Sequence, residues 1–143
     1  MKAVLVSVKA EDCELIMESG EGTIVQTVRP KLAPPFTVYI FCTEDFEYNN
    51  NYGLKTRVLA EEVVCSFVCD KITEDGLLHI FEWHISNPKF FTNPIPLNSF
   101  SPPCHGIGES CSVCRFYNIS EGMCVRDYIY SAPATWRYVE YIG

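Results

Sequence analysis

The chain has 143 residues, of which 48% are hydrophobic and 20% are charged, and 18 acidic against 11 basic side chains give a formal net charge of −7. This length favours one globular domain over 1–143, with a core large enough to fold without obligatory cross-links. The composition excludes a disordered chain, and the sequence has no apolar run of about 18 residues that could span a bilayer. The acidic balance argues against general binding to duplex phosphates, which requires a basic face.

The elements predicted in chain order are one N-terminal helix and about six strands. Apolar residues at Cys13, Ile16 and Met17 predict an amphipathic helix over 11–19, and Gly20 suits the left-handed position that ends it. Short β-branched or alternating runs predict strands at 3–8, 23–28, 36–42, within 58–72, at 77–85 and at 135–142. The pattern predicts an α+β, mostly β fold: a small antiparallel β-barrel, in which closure removes exposed edges.

The first residues indicate the compartment. The apolar opening ends at Lys9 without a small-residue cleavage site, so it is interpreted as a strand, and a cytoplasmic protein is expected. In a reducing compartment, clustered cysteines bind metal more often than they form disulfides.

Four of the eight cysteines lie within a loop subregion at 101–126. They are Cys104, Cys111, Cys114 and Cys124. A Cys-x2-Cys turn with two flanking cysteines predicts a tetrahedral Zn²⁺ site, and four thiolates leave no open position for catalysis, so the zinc is structural. Two disulfides and plain reduced thiols are the alternatives. The other four cysteines are interpreted as core residues: Cys13, Cys42, Cys65 and Cys69.

Two groups of side chains are candidates for binding. Trp83 beside His84 can stack on a base and form a hydrogen bond with it, although a structural tryptophan that caps the barrel is the alternative interpretation. The helix and the residues after it carry carboxylates that form either a solvated face or a surface for a basic partner. These carboxylates are Glu11, Asp12, Glu14, Glu18 and Glu21. No nucleophile elbow, phosphate loop or paired zinc histidines occur, so no catalytic residue is predicted.

Several segments together resemble a known family. They are 1–9 (MKAVLVSVK), 13–16 (CELI), 19–20 (SG), 29–32 (RPKL), 39–43 (YIFCT), 67–72 (FVCDKI), 83–86 (WHIS) and 136–140 (WRYVE). In this order they resemble the ASCH domain proteins of phages and prophages, which belong to the PUA-like superfamily. The resemblance implies a PUA-like β-barrel with a cleft beside the N-terminal helix, where relatives bind RNA or a modified nucleoside.

The chain departs from the ASCH motif. The family pattern Gly-x-Lys-x-x-Glu-x-Arg corresponds here to GEGTIVQTVR at 20–29, of which Gly20 and Thr23 can be carried over. Glu21 or Gly22 replaces the lysine that relatives use to hydrolyse an acylated cytidine. Without that cation and its partner acid the hydrolysis lacks its working groups, so a non-catalytic protein is expected, with a nucleoside amidohydrolase as the residual alternative.

Two functions are therefore expected from the sequence. One is a binding module for RNA, a nucleotide or a modified base, in which Arg29 and Lys31 contact phosphate and Trp83 or Trp136 stacks. Thr23 and His84 complete this predicted ligand set. The other is a phage inhibitor of a host defence protein, resembling an anti-CRISPR protein, which acts through the acidic helix in the host cytoplasm. Neither function involves a membrane.

Overall fold

A computed structural model describes residues 3–49, 55–58, 62–101, 117–118, 123–124 and 133–141. These residues contain one α-helix, one short 3-10 helix at Leu97–Ser99 and eleven strands. In chain order the elements are β1 (Ala3–Val8), α1 (Ala10–Ser19), β2 (Gly22–Gln26), β3 (Phe36–Cys42), β4 (Phe46–Asn49), β5 (Lys55–Val58), β6 (Val63–Asp75), β7 (Ile80–Ile95), β8 (Phe100–Ser101), β9 (Tyr117–Asn118), β10 (Met123–Cys124) and β11 (Trp136–Tyr141).

Seven strands form one mixed sheet in the order β2-β7-β6-β3-β1-β11-β8. Neighbouring strands are antiparallel, except that β1 pairs with β3 in parallel. A parallel pair requires a crossover connection, which α1, β2 and the proline-containing connector at 27–35 supply between β1 and β3. The pairs β4/β5 and β9/β10 are separate two-stranded sheets.

The α+β, mostly β class and the single N-terminal helix are confirmed in the described part of the chain. The sheet differs from the predicted antiparallel barrel because the crossover makes it mixed. It is also not closed: β2 and β8 end the strand order, and no pairing joins them among the described residues.

Both faces of the sheet are buried around β1. Val4 and Val6 lie in one hydrophobic cluster, while Leu5 lies in a second cluster on the opposite face. Helix α1 covers the first face with its buried stripe, the predicted Cys13, Ile16 and Met17. The second face is covered by Phe100, with Phe91, Ile95 and Leu97 packed against the cluster. Burial on both faces explains why β1 is apolar at almost every position.

The end of α1 follows the sequence prediction. Gly20 has a φ of 73° and donates its backbone N–H to the Ile16 carbonyl at 2.9 Å. This left-handed conformation is costly for residues with a Cβ, so glycine suits the position. Two residues later, a Cβ built on Gly22 would lie 3.0 Å from Cγ1 of Ile16, so Gly22 lets β2 begin close against the helix.

The hairpin of β6 and β7 is longer than predicted. Strand β6 continues through Asp75, and β7 continues to Ile95 across Pro88 and Pro94. Strand β2 pairs only with 81–85 of β7, so both prolines lie where one edge of β7 has no β2 partner and a missing N–H is tolerated. Strand β4 lies after β3 in a segment where the sequence predicts no strand, and it pairs with β5.

Candidate functional site

Strand β7 places the predicted ligand residues on two different faces. Trp83 is fully buried in the cluster beneath α1. Its neighbour His84 lies opposite Thr23 in the pairing of β2 with β7. Because successive side chains of a strand point to opposite faces, His84 and Thr23 lie on the outer face of the hairpin, away from Trp83. The six predicted residues therefore do not surround one site.

On the inner face, four rings form a row from the core toward the surface. Phe36 meets Trp83 at a centroid distance of 6.2 Å, Trp83 meets Trp136 at 5.4 Å, and Trp136 meets Tyr138 at 5.1 Å. The interplanar angles are 81°, 65° and 87°, so each contact is edge-to-face, a geometry that the ring quadrupoles favour. We call Phe36, Trp83, Trp136 and Tyr138 the aromatic row; its last two members are half-buried.

The connector at 27–35 brings cations to this row. The backbone N–H of Lys31 donates to the Tyr138 hydroxyl at 2.6 Å, and Leu32 packs against the core cluster. These contacts fix the connector on β11, while the Lys31 side chain stays exposed. The connector that carries Lys31 therefore lies against the Tyr138 end of the row.

Arg29 belongs to the same connector, two residues before Lys31. Burial raises the pKa of the Cys69 thiol to about 11, and the positive charge of Arg29 is among the influences that oppose this shift. Cys69 pairs with Phe36 in the register of β3 and β6, so this thiol lies beside one end of the aromatic row. The Arg29 side chain is itself exposed and accessible to an anion.

The indole N–H of Trp83 is buried and has no hydrogen-bond partner among the residues that the structure describes. Most buried polar groups find a partner, and leaving one unsatisfied costs about 1–3 kcal/mol. Trp83 is held by its packing in the hydrophobic cluster and by the strand pairing of β7. Full burial fits a structural role for this residue, and it makes Trp83 the support behind Trp136.

The outer face of the hairpin carries a polar network. The Thr73 hydroxyl lies 3.1 Å from Nε2 of His84 and donates to Oε2 of Glu82 at 3.4 Å. The Ser86 hydroxyl donates to Oδ2 of Asp70 at 3.2 Å. These are cross-strand hydrogen bonds between β6 and β7, and they stabilise the pairing.

The five predicted carboxylates of the acidic helix region are all exposed. We call Glu11, Asp12, Glu14, Glu18 and Glu21 the acidic surface. Leu15 lies among them in sequence and is 66% exposed, and residues 10–21 contain no basic side chain. An apolar side chain within a run of carboxylates is a pattern that suits a protein partner with basic and apolar groups.

The cysteines divide as predicted where they are described. Cys13, Cys42, Cys65 and Cys69 are free and buried, which confirms their interpretation as core residues. Cys104, Cys111 and Cys114 lie outside the described residues, and Cys124 is described only as the last residue of β10. Within the described ranges, no group of three or more histidine, cysteine, aspartate or glutamate side chains is placed to hold a metal ion. The zinc site stays a prediction.

The described part of the chain contains no helix with the length and hydropathy needed to cross a membrane.

Two members of the aromatic row, Phe36 and Tyr138, are not singled out by the sequence analysis. The signal for Tyr138 is present, because Trp136 and Tyr138 are two residues apart on one strand and therefore share a face. Phe36 reaches Trp83 from a strand 47 residues earlier in the chain, a contact that no local pattern reveals.

Comparison of the chain with family models, curated proteins and solved structures finds no match. The resemblance to ASCH proteins therefore stays a prediction from the sequence.

Proposed function

We propose that this protein is a non-catalytic binding module that holds RNA, a nucleotide or a modified base at the outer end of the aromatic row. One observation carries the proposal: the hydrogen bond from Lys31 to Tyr138 joins the cationic connector to the rings of β11. In this arrangement a base stacks on Trp136, while Arg29 and Lys31 contact phosphate. The PUA-like, ASCH-type identity of the fold is part of the same proposal, supported by the ordered segments of sequence.

Packing supports the choice of Trp136 as the stacking ring. A base that stacks on an aromatic side chain gains about 1–3 kcal/mol, provided that the ring is both exposed and held in place. Trp136 is half-buried, and Trp83 behind it is fully buried at a centroid distance of 5.4 Å. The inner ring therefore limits the motion of the outer ring and reduces the entropy lost on binding.

The net charge of the chain limits its affinity for RNA. The net charge of −7 repels a polyanion as a whole, so binding depends on the local cations and on stacking. The ligand that fits this balance is a short single-stranded segment or a nucleotide, because a duplex presents more phosphates and hides its base faces.

The experiment is fluorescence anisotropy with a labelled single-stranded RNA octamer and its duplex. We expect the wild type to prefer the single strand, and Trp136→Leu and Arg29→Ala each to weaken binding about tenfold, the equivalent of about 1.4 kcal/mol. Lys71→Ala is the matched control, because Lys71 is an exposed cation that pairs with His84 in the register of the hairpin. Equal weakening by Lys71→Ala, or no binding by the wild type, would overturn the proposal.

A second function has its own observation. Every carboxylate of the acidic surface is exposed, and Leu15 is exposed among them. An inhibitor that occupies a basic channel of a host defence protein would use such a surface in the host cytoplasm. Charge reversal by Glu11→Lys, Glu14→Lys and Glu21→Lys should then release the bound host protein, whereas reversal of the exposed Glu74 on the hairpin should not. Retention of the host protein by the triple variant would exclude this function.

A further inference from the structure

Two thiols are in contact beneath α1. Sγ of Cys13 lies 3.3 Å from Sγ of Cys42, and both residues are fully buried. Cys13 belongs to the buried stripe of α1, and Cys42 is the last residue of β3. This contact joins the helix to the sheet by two groups that can form a covalent bond.

The backbone around the thiols is fixed by hydrogen bonds to one carbonyl. The Val8 carbonyl accepts from the Cys13 thiol at 3.6 Å, from the Thr43 backbone N–H at 3.2 Å and from the Thr43 hydroxyl at 3.3 Å. Val8 also pairs with Cys42 in the parallel register of β1 and β3. The ends of two strands and the first turns of α1 therefore hold the sulfur atoms side by side.

We propose that Cys13 and Cys42 form an oxidative modification site, at which a small peroxide joins the two thiols in a disulfide. The thiolate of one cysteine attacks an oxygen of hydrogen peroxide, the O–O bond breaks, and a sulfenic acid and hydroxide form. The second sulfur attacks the sulfenic sulfur, the S–S bond forms, and water leaves. Two thiols and one peroxide yield one disulfide and two waters, so each sulfur loses one electron and the peroxide gains two.

The burial of Cys13 and Cys42 determines which oxidants can reach them. Full burial excludes a bulky disulfide such as oxidised glutathione, whereas hydrogen peroxide is small and neutral. The hydrogen bond with Cys42 and the burial raise the pKa of the Cys13 thiol, so the thiolate is scarce at neutral pH. The reaction is therefore slow, and its rate increases with pH.

Cys65 is the nearest competitor. It is buried in the same cluster, and it pairs with Ile40, which lies two residues before Cys42 in β3. Among the described residues, the sulfur contact within hydrogen-bonding range is between Cys13 and Cys42. This contact favours the bond between α1 and β3 over one between β3 and β6.

The disulfide would close the 28-residue segment from 14 to 41 and tie α1 to the sheet. A cross-link of this length restricts the unfolded chain, so the oxidised protein should melt on the order of 10 °C higher than the reduced protein. The acidic surface lies on the tied helix.

Trypsin places Cys13, Cys42 and Cys65 on three different peptides. Cleavage after lysine and arginine, except before proline, gives 10–31 with Cys13, 32–55 with Cys42 and 58–71 with Cys65 and Cys69. The reduced full-length protein is treated with hydrogen peroxide and denatured, its remaining thiols are alkylated, and the digest is analysed by mass spectrometry. We expect peptides 10–31 and 32–55 to appear as one species, two hydrogen atoms lighter than their sum, which separates again after reduction.

The digest of the wild-type protein tests the proposed disulfide without any variant. Cross-linking of 32–55 to 58–71, or recovery of 10–31 and 32–55 only in alkylated form, would overturn the proposal. Cys65→Ala is the matched variant and should keep the 10–31 to 32–55 species, whereas Cys13→Ser should abolish it. Loss of this species in Cys65→Ala, with the melting transition retained, would also contradict the assignment.

Discussion

The packing of the sheet face beneath α1 depends on Trp83. It is fully buried and touches Phe36 and Trp136, and within the described part of the chain its indole N–H has no hydrogen-bond partner. Trp83→Ala should lower the free energy of unfolding by about 3–5 kcal/mol because it leaves a large cavity. Trp83→Phe should cost about half as much, because it keeps a ring and removes the unsatisfied donor. Urea unfolding measures both values, and an equal cost for the two variants would contradict this account.

Because of the buried thiols, the free energy of unfolding decreases at alkaline pH. Burial raises the pKa of Cys69 from 9.0 to about 11, so the folded state holds this proton more tightly than the unfolded state. The corresponding stability is fully present below about pH 9 and is lost as the pH rises toward about 11. Cys65, whose pKa is also raised by burial, changes stability in the same direction.

Urea unfolding at about pH 8 and about pH 10.5 tests this linkage. The wild type should lose stability between the two values, and Cys69→Ala should lose less because one raised thiol is absent. The same decrease in both proteins would show that the Cys69 thiol does not contribute.

At the level of elements, the contact between α1 and β2 depends on glycine. A Cβ at Gly22 would lie 3.0 Å from Cγ1 of Ile16, whereas a Cβ at Gly76 would meet nothing within 4 Å. Gly22→Ala should therefore destabilise the protein by about 1 kcal/mol, because the buried Ile16 has to move. Gly76→Ala is the control and should stay within about 0.5 kcal/mol of the wild type. Thermal unfolding of both variants checks the difference, and equal midpoints would contradict it.

The sequence predicts best those elements whose bounds are determined by their own residues. The bounds of β1 and β3 match the predicted 3–8 and 36–42, because both strands are apolar runs with burial on both faces. Strand β7 exceeds its predicted end because the cost of Pro88 and Pro94 depends on whether a neighbouring strand needs their N–H groups. That neighbour, β2, is distant in sequence and reaches only 81–85.

The greater length of β7 also explains why Trp83 and His84 lie on different faces. The sequence predicts a strand end at 85, where alternation relaxes and the two side chains can serve one ligand. Because β7 continues to Ile95, alternation persists, so Trp83 enters the core while His84 bonds to Thr73 outside. The convergence of Lys31 with Tyr138 spans 107 positions in sequence and follows from the tertiary fold alone.

For the whole molecule, the predicted zinc site has a direct test. Metal analysis of protein purified without a histidine tag should give about one zinc per chain, because four thiolates complete a tetrahedral site. The Cys111→Ser, Cys114→Ser double variant should lose the metal, and Cys69→Ser, which changes a buried thiol of the main sheet, should retain it. Absence of zinc from the wild type would exclude the site.

The whole molecule also combines a negative net charge with two exposed cations, Arg29 and Lys31, on the connector that contacts Tyr138 of the aromatic row. Such a protein should bind RNA through few phosphates. Two contacted phosphates on a single strand predict a slope of about −1.4 in a plot of log affinity against log salt concentration, and one contact predicts about −0.7.

The salt dependence of RNA binding therefore tests the central claim most directly. Anisotropy titrations of the wild type and Arg29→Ala with the single-stranded octamer, over a range of salt concentrations, should give slopes of about −1.4 and about −0.7. A salt-independent affinity, or the same slope for both proteins, would contradict the placement of phosphate at Arg29 beside the aromatic row.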